Sequence, residues 1–162
     1  MTIIGIDPGL NGAIALLDPH KPTQLVDIFD MPIHVVARGG KTRRSLDPQA
    51  LIAIINRPLE HVFIEAAQAM PRQGVSSTFE FGRNFGIVIG VVATLEHPCT
   101  FVQAAKLKRS LQVPKAKDAA RARASQLFPS AGHHWKLVKH DGRVEASLIA
   151  LYGTRLLGNG AA

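Results

Sequence analysis

The sequence has a single cysteine, Cys99, so no disulfide can close within the chain. A disulfide-stapled secreted scaffold is excluded, and a reducing compartment fits. Cys99 has no second cysteine or paired histidine at zinc spacing, and is expected as a small core residue. His133 and His134 are adjacent, which is poor geometry for one metal. Aromatic residues are only 6% of the chain, too few for base stacking along an extended surface. Phe79, Phe81 and Phe85 are therefore expected in the core. Acidic residues are also few, 12 against 19 lysines and arginines, for a net charge of +7. Long apolar runs are absent. The longest uncharged one, residues 85–95, falls well short of the roughly 20 residues that span a bilayer. No membrane association is expected. Residues 2–6 are too short for a secretory core, and Asp7 follows at once.

What is present is a chain of 162 residues, 46% hydrophobic, enough for one ordinary core. A single domain over 1–157 with a frayed tail at 158–162 is expected. The positive balance points to a polyanionic partner, nucleic acid before a membrane surface.

Three short apolar runs, 2–6, 12–17 and 25–29, are separated by Asp7-Pro8-Gly9 and by the turn at 18–22. They predict an antiparallel meander. Residues 32–44, with Gly39-Gly40, read as a flexible basic loop. Asp47-Pro48 predicts a helix start, with Asp47 as N-cap and proline in the first turn. Residues 61–65 predict a fourth strand ending on Glu65, and 66–77 a loop. A long helix is predicted over 78–95, and a short fifth strand over 100–102. Helices follow over 105–111, 115–128 and 142–157. The order predicts a mixed α/β sheet whose later strands are joined by crossovers. In the long helix Gly82, Gly86 and Gly90 recur every four residues and share one face. Each costs about 1 kcal/mol against alanine, so the stripe implies close backbone approach. Packing on the sheet and a subunit interface are equally compatible with the spacing.

Asp7 and Glu65 each end an apolar strand, where sites of open α/β sheets assemble. Side by side they would repel unless a cation or a raised pKa compensated. Oxygen ligands favour a hard ion, so Mg²⁺, with Mn²⁺ as substitute, is the natural compensator. Asp141 and Glu145 share one face of the last helix and would complete a four-carboxylate cage for two ions about 4 Å apart. Taken singly each acid has a structural alternative: Asp7 a turn cap, Asp141 an N-cap, Glu145 a solvated helical acid. Their joint placement is what points to a metal-dependent phosphodiester site. Between Lys106 and Arg123 lies the densest basic stretch, with Lys106, Lys108, Arg109, Lys115 and Lys117 as candidate phosphate contacts and Arg121 beside them. Arg38, Lys41, Arg43 and Arg44 form a second basic patch, able to fold over DNA or to remain mobile. Met70 or Phe79 is a weaker candidate for a wedge into a junction.

The run Ile3-Ile4-Gly5-Ile6-Asp7-Pro8-Gly9 resembles the opening strand of RuvC-type Holliday-junction resolvases. The resemblance continues in order through residues 62–65, 81–86, Leu107-Lys108, Lys117-Asp118 and 145–150. The loop at 70–74 with Ser77 resembles phage-type members. The resemblance implies an RNase H-like fold: a five-stranded sheet, antiparallel in its first three strands and then parallel, flanked by helices. It implies a Mg²⁺-dependent endonuclease of branched DNA, above all four-way junctions, acting in the cytoplasm of a bacterium or phage-infected bacterium. It also implies a homodimer through the Gly82/Gly86/Gly90 helix. Asp7 and Glu65 map onto the family's acidic core, and Lys108 and Lys117 onto basic positions near the scissile phosphate. The family spaces its last two site residues by three; here Asp141 and Glu145 are four apart. Glu145 aligns with the last acid, and either Asp141 or His140 fills the other place, His140 as a general acid or base. A junction-binding module without cleavage is the main alternative. Asp7-Pro8-Gly9 with Gly12 also resembles the phosphate loop of actin-like ATPases, but 162 residues leave no room for their second lobe.

Overall fold

The computed structural model describes residues 1–68 and 74–159. Met70, most of the loop at 70–74 and the last three residues of the expected tail lie outside the described residues. The elements in chain order are β1 (Thr2–Asp7), β2 (Ala13–Leu17), β3 (Leu25–Asp30), β4 (Ile33–Arg38), β5 (Lys41–Leu46), α1 (Pro48–Ile55), β6 (Leu59–Glu65), α2 (Val75–Thr94), β7 (Cys99–Val102), α3 (Ala104–Leu111), α4 (Lys117–Leu127) and α5 (Asp141–Asn159), with short 3₁₀ turns at Gly132–Trp135 and Val138–His140. The last helix thus runs past the expected end at 157.

Five strands form one sheet in the order β3-β2-β1-β6-β7. The β1–β2 and β2–β3 pairs are antiparallel, and β1–β6 and β6–β7 are parallel. This is the mixed sheet expected. Tight turns allow the meander, whereas the parallel pairs need helical crossovers. The sheet divides two cores. Ile4, Ile6, Ile14, Leu16, Val62 and Ile64 pack with α1 and α2 on one face. Ile3, Leu17 and Phe63 pack with residues of α3, α4 and α5 on the other. Side chains alternate along a strand, so Asp7 follows Ile3 and Gly5, and Glu65 follows Phe63, onto the α5 face. Parity alone directs both strand-end carboxylates toward the same helix.

Glycine sets how near that helix comes. A methyl on Gly5 would lie 2.3 Å from the Ala146 carbonyl oxygen and 2.4 Å from the Ala150 nitrogen, and one on Gly142 would lie 2.3 Å from the Asn11 carbonyl oxygen. Thus α5 lies backbone against backbone on β1 and on the turn that follows it. On α2 the outcome is reversed. Among the described residues, nothing lies within 4 Å of a methyl placed on Gly82, Gly86 or Gly90. The stripe faces away from the body of the chain, so packing on the sheet does not explain it.

Asp47 caps α1 as expected, accepting from the Gln49 and Ala50 amides at 3.0 Å each. Three expectations need correction. Residues 32–44 are not a flexible loop: β4 and β5 form an antiparallel hairpin in register from Ile33↔Leu46 to Arg38↔Lys41. Gly39 and Gly40, at φ 57° and 73°, make its two-residue turn. The strand signal was weak because Val35 and Val36 are both exposed, leaving no alternation of apolar and polar residues. Cys99 is exposed rather than in the core, because it opens the short edge strand β7. Phe79 is 69% exposed, while Phe81 and Phe85 stack with centroids 6.4 Å apart. Among the described residues no helix is long and apolar enough to cross a membrane.

Candidate active site

The turn after β1 is built by its own backbone. The Gly9 N–H donates to Asp7 Oδ1 at 3.3 Å, and the Gly12 N–H to the Gly9 carbonyl at 2.8 Å. That turn, the start of α5 and the start of α4 enclose a cavity of about 310 Å³. Asp7, Asp141 and Glu145 line it together with Lys117 and Arg121. Glu65 lies beside Asp7, one residue beyond the paired Ile6 and Ile64 at the parallel strand ends. It opens onto a second concavity with Gln68 and Gln103.

The electrostatics carry the mark of acids held together. Burial pushes the Asp7 carboxyl up to about 6, with the Glu145 charge adding to the rise and the Gly9 amide opposing it. Glu65 is pushed up to about 7, by burial first, then by the charges of Asp7 and Glu145, against the pull of Lys108. Asp7, Glu65 and Glu145 therefore sense one another as a single cluster.

Basic side chains enter the same cluster. Lys108, on α3, meets Glu145 Oε1 at 3.3 Å. Asp141 is gripped twice, by Lys117 Nζ at 3.3 Å and by Arg121 Nη1 at 2.5 Å. Arg121 also binds Asp118. Lys106, Arg109 and Lys115 are exposed. Two of the five candidate phosphate contacts thus reach the acids directly and three face solvent. Arg123 instead donates to the Leu111 carbonyl at the end of α3, a structural bond.

His140 is separated from this group. It lines a neighbouring concavity with Asp30, Arg44, Lys139 and Arg143. Burial, Arg143 and Lys139 push its imidazole below the usual histidine range, with Asp30 opposing. Asp30 is itself held below the usual carboxylate range by the Arg143 guanidinium, which reaches its two oxygens at 2.6 and 2.7 Å. Of the two candidates for the fourth position, Asp141 shares the cavity with Asp7 and Glu145, and His140 does not. The four acids do not close into the expected cage. Among the described residues no three His, Cys, Asp or Glu side chains come together closely enough to hold an ion. Lys108, Lys117 and Arg121 draw Glu145 and Asp141 toward themselves instead. The donor set still suits a hard cation. Carboxylates pushed up to about 6 and 7 are charges lacking a counter-charge, and a divalent ion supplies one.

Sequence reasoning passed over Asn11 and the fork of Arg44. Arg44 donates to Asn11 Oδ1 at 2.8 Å and to the Leu10 carbonyl at 3.0 Å, bridging β5 to the turn after Asp7. No local signal marks this pairing, since it joins segments more than thirty residues apart.

The raised acids predict a pH dependence. Both carboxyls bind protons more tightly folded than unfolded, so they cost nothing below the unfolded values and destabilise progressively as pH rises through about 6 and 7. In chelator, the urea midpoint is expected to fall between pH 5 and pH 8, equivalent to on the order of 2 kcal/mol. A midpoint that rises across this range would contradict the burial described. A divalent cation that these carboxylates bound in the folded state alone would offset that loss at pH 8.

No protein-family model and no curated protein matches the sequence. Solved structures do resemble it. One is Thermus thermophilus RuvC in complex with a Holliday junction substrate, with a TM-score of 0.58 at 15% identity, covering 100% of this chain and 97% of that one. Another structure of Thermus thermophilus RuvC gives 0.54 at 16% identity, covering 99% and 97%. The likeness spans both chains end to end, and the protein has the RuvC fold.

Proposed function

We propose that this protein is a divalent-metal-dependent endonuclease that cuts four-way or otherwise branched DNA. The observation that carries the reading is the pair of buried strand-end carboxylates, Asp7 and Glu65, pushed up to about 6 and 7 with the Glu145 charge adding to each rise, and the cavity beside Asp7 lined by Lys117 and Arg121. The Thermus RuvC likeness, in a structure that contains a Holliday junction, supports branched DNA as the substrate class.

Asp7, Glu65 and Glu145 would hold Mg²⁺ or Mn²⁺, with Asp141 as a fourth ligand once a phosphate competes for Lys117 and Arg121. One or two bound cations would supply Lewis acidity for water activation and for the charge that develops on phosphorus. The chain's own groups do the rest. Lys108, Lys117 and Arg121 offer cations to the scissile phosphate. Lys106, Arg109 and Lys115 extend that field for the flanking backbone. Water would attack phosphorus in line as the bond to the 3′ oxygen breaks, the water giving up a proton to solvent and the 3′ oxygen taking one to leave as a hydroxyl, so that a 5′-phosphate end is left. The open glycine face of α2 is the proposed homodimer contact, which would present two such sites to the two sides of a junction.

A second reading, a junction-binding module that does not cleave, is favoured by the ion pairs that occupy Asp141 and Glu145. One assay separates them. A synthetic four-way junction and a linear duplex are incubated with the protein, with and without Mg²⁺ or Mn²⁺. Paired nicks near the branch point, metal-dependent and absent from the duplex, are expected. A junction that is bound but left intact with both metals would establish the second reading instead.

A further inference from the structure

The β4–β5 hairpin is held in place rather than free. Leu46 is buried at its base, and its amide donates to Asn84 Oδ1 on α2 at 3.3 Å. Arg83 of α2 donates to Ser45 Oγ at 3.1 Å, and Arg43 lies 3.8 Å from Glu80. The hairpin and the first turns of α2 thereby wall a groove of about 680 Å³. Thr42, Arg43 and Arg44 line one wall. Val75 and Phe79, 87% and 69% exposed, line the other. Leu10 belongs both to this groove and to the cavity that holds Asp7. Arg44 belongs both to this groove and to the concavity that holds Lys139, His140 and Arg143. Arg44 is fixed to the turn after Asp7 through Asn11 and the Leu10 carbonyl. The groove therefore runs into the catalytic turn, not past it.

We infer that this groove binds an unpaired DNA strand and leads it to the Asp7 turn, with Arg43 and Arg44 on its phosphates and Phe79 against a base. The inference rests on the nuclease reading for its place in the reaction, though not for the binding itself. A basic wall facing an apolar, aromatic one is the make-up of single-strand grooves, where cations follow the backbone and a ring stacks on a base. A duplex keeps its bases stacked inside and gives Phe79 nothing to cover. Charge complementarity favours DNA over a protein segment: no acid other than Glu80 lines the groove among the described residues, and Glu80 is paired with Arg43 and Arg83.

The test measures binding of labelled oligothymidylate and of linear duplex by anisotropy over a salt series, without divalent metal. The full chain is compared with an Arg43→Ala/Arg44→Gln double variant and with Phe79→Ala. The double variant is expected to lower the slope of log K against log salt for the single strand by about 1.4, or about 0.7 per lost phosphate contact, with the duplex slope unchanged. Phe79→Ala is expected to weaken single-strand binding at least about fivefold at every salt concentration without changing the slope. Phe79 is largely exposed, so this variant keeps the question open to test if loss of the Arg44 bonds disturbs the turn. Equal slopes for the double variant together with unchanged affinity for Phe79→Ala would overturn the inference, as would a shift in oligomeric state in place of a shift in slope. Junction cleavage by the unaltered chain is scored in parallel. Cleavage without arginine dependence removes only the groove, whereas arginine-dependent strand binding without cleavage removes only the nuclease.

Discussion

Asp7→Asn is expected to lower metal-dependent cleavage of a four-way junction by about 10³-fold while leaving junction binding intact. Asparagine keeps the side-chain oxygen that accepts from the Gly9 amide, so the turn after β1 is preserved. On the proposed reading, what it removes is a negative ligand, and with it the several kcal/mol of charge stabilisation at phosphorus that would depend on it. The same change relieves the repulsion that helps push up Glu65. In chelator the variant is therefore expected to be more stable than the unaltered protein at pH 8, and to lose much of its pH dependence. Rates come from single-turnover cleavage, binding from anisotropy, and stability from urea midpoints. Cleavage at an unchanged rate would remove Asp7 from the chemistry. A variant that cleaves poorly because it binds poorly would make Asp7 a folding residue.

The second large effect is expected from Gly142→Ala. In the first turn of a helix this change ordinarily stabilises, by up to about 1 kcal/mol, because alanine loses less backbone entropy on folding. Here the sign reverses. The new methyl would lie 2.3 Å from the Asn11 carbonyl oxygen and 2.7 Å from the Gly12 Cα, and these are backbone atoms that cannot swing aside. The start of α5 must lift from the turn after Asp7, at a cost of about 1–3 kcal/mol. Asp141 and Glu145 are carried by that same turn of helix. Misplacement by about 1 Å costs on the order of 10²-fold in rate. Loss of activity should therefore exceed what the loss of stability explains, even at a temperature where the variant is fully folded. Gly158→Ala, on the same helix with nothing within 4 Å among the described residues, is the control and is expected to be neutral or slightly stabilising. Equal effects from the two variants would rule out the close approach at Gly142.

The two glycine-bearing helices show how far local patterning reaches. Gly82, Gly86 and Gly90 recur at an obvious spacing, which implied close approach, yet among the described residues they meet nothing. Gly142, Ala146 and Ala150 follow the same four-residue spacing on α5 and form the tight contact with β1 and its turn. Small residues permit close approach; which surface they approach is set by the fold. The hairpin teaches a related point. Gly39-Gly40 is a sound local turn signal, but strands exposed on both faces lack the alternation that reveals a strand.

The placement of two of the candidate site residues could be read from the sequence. Asp7 and Glu65 at the ends of apolar strands, the N-cap at Asp47 and the mixed sheet all follow from short-range rules: alternation along strands, turn chemistry and capping. Those rules act within a few residues, so one sequence suffices to apply them. Only the tertiary structure decided which groups share a cavity. It brought Asp141 beside Glu145 and left His140 with Asp30 and Arg143; it set Lys108, Lys117 and Arg121 on the acids; and it seated Arg44 on the turn after Asp7. Each of these depends on how α5, α3, α4 and the hairpin dock on the sheet. Docking is settled by steric fit between backbones far apart in the chain, as at Gly5 and Gly142, and no local pattern encodes it.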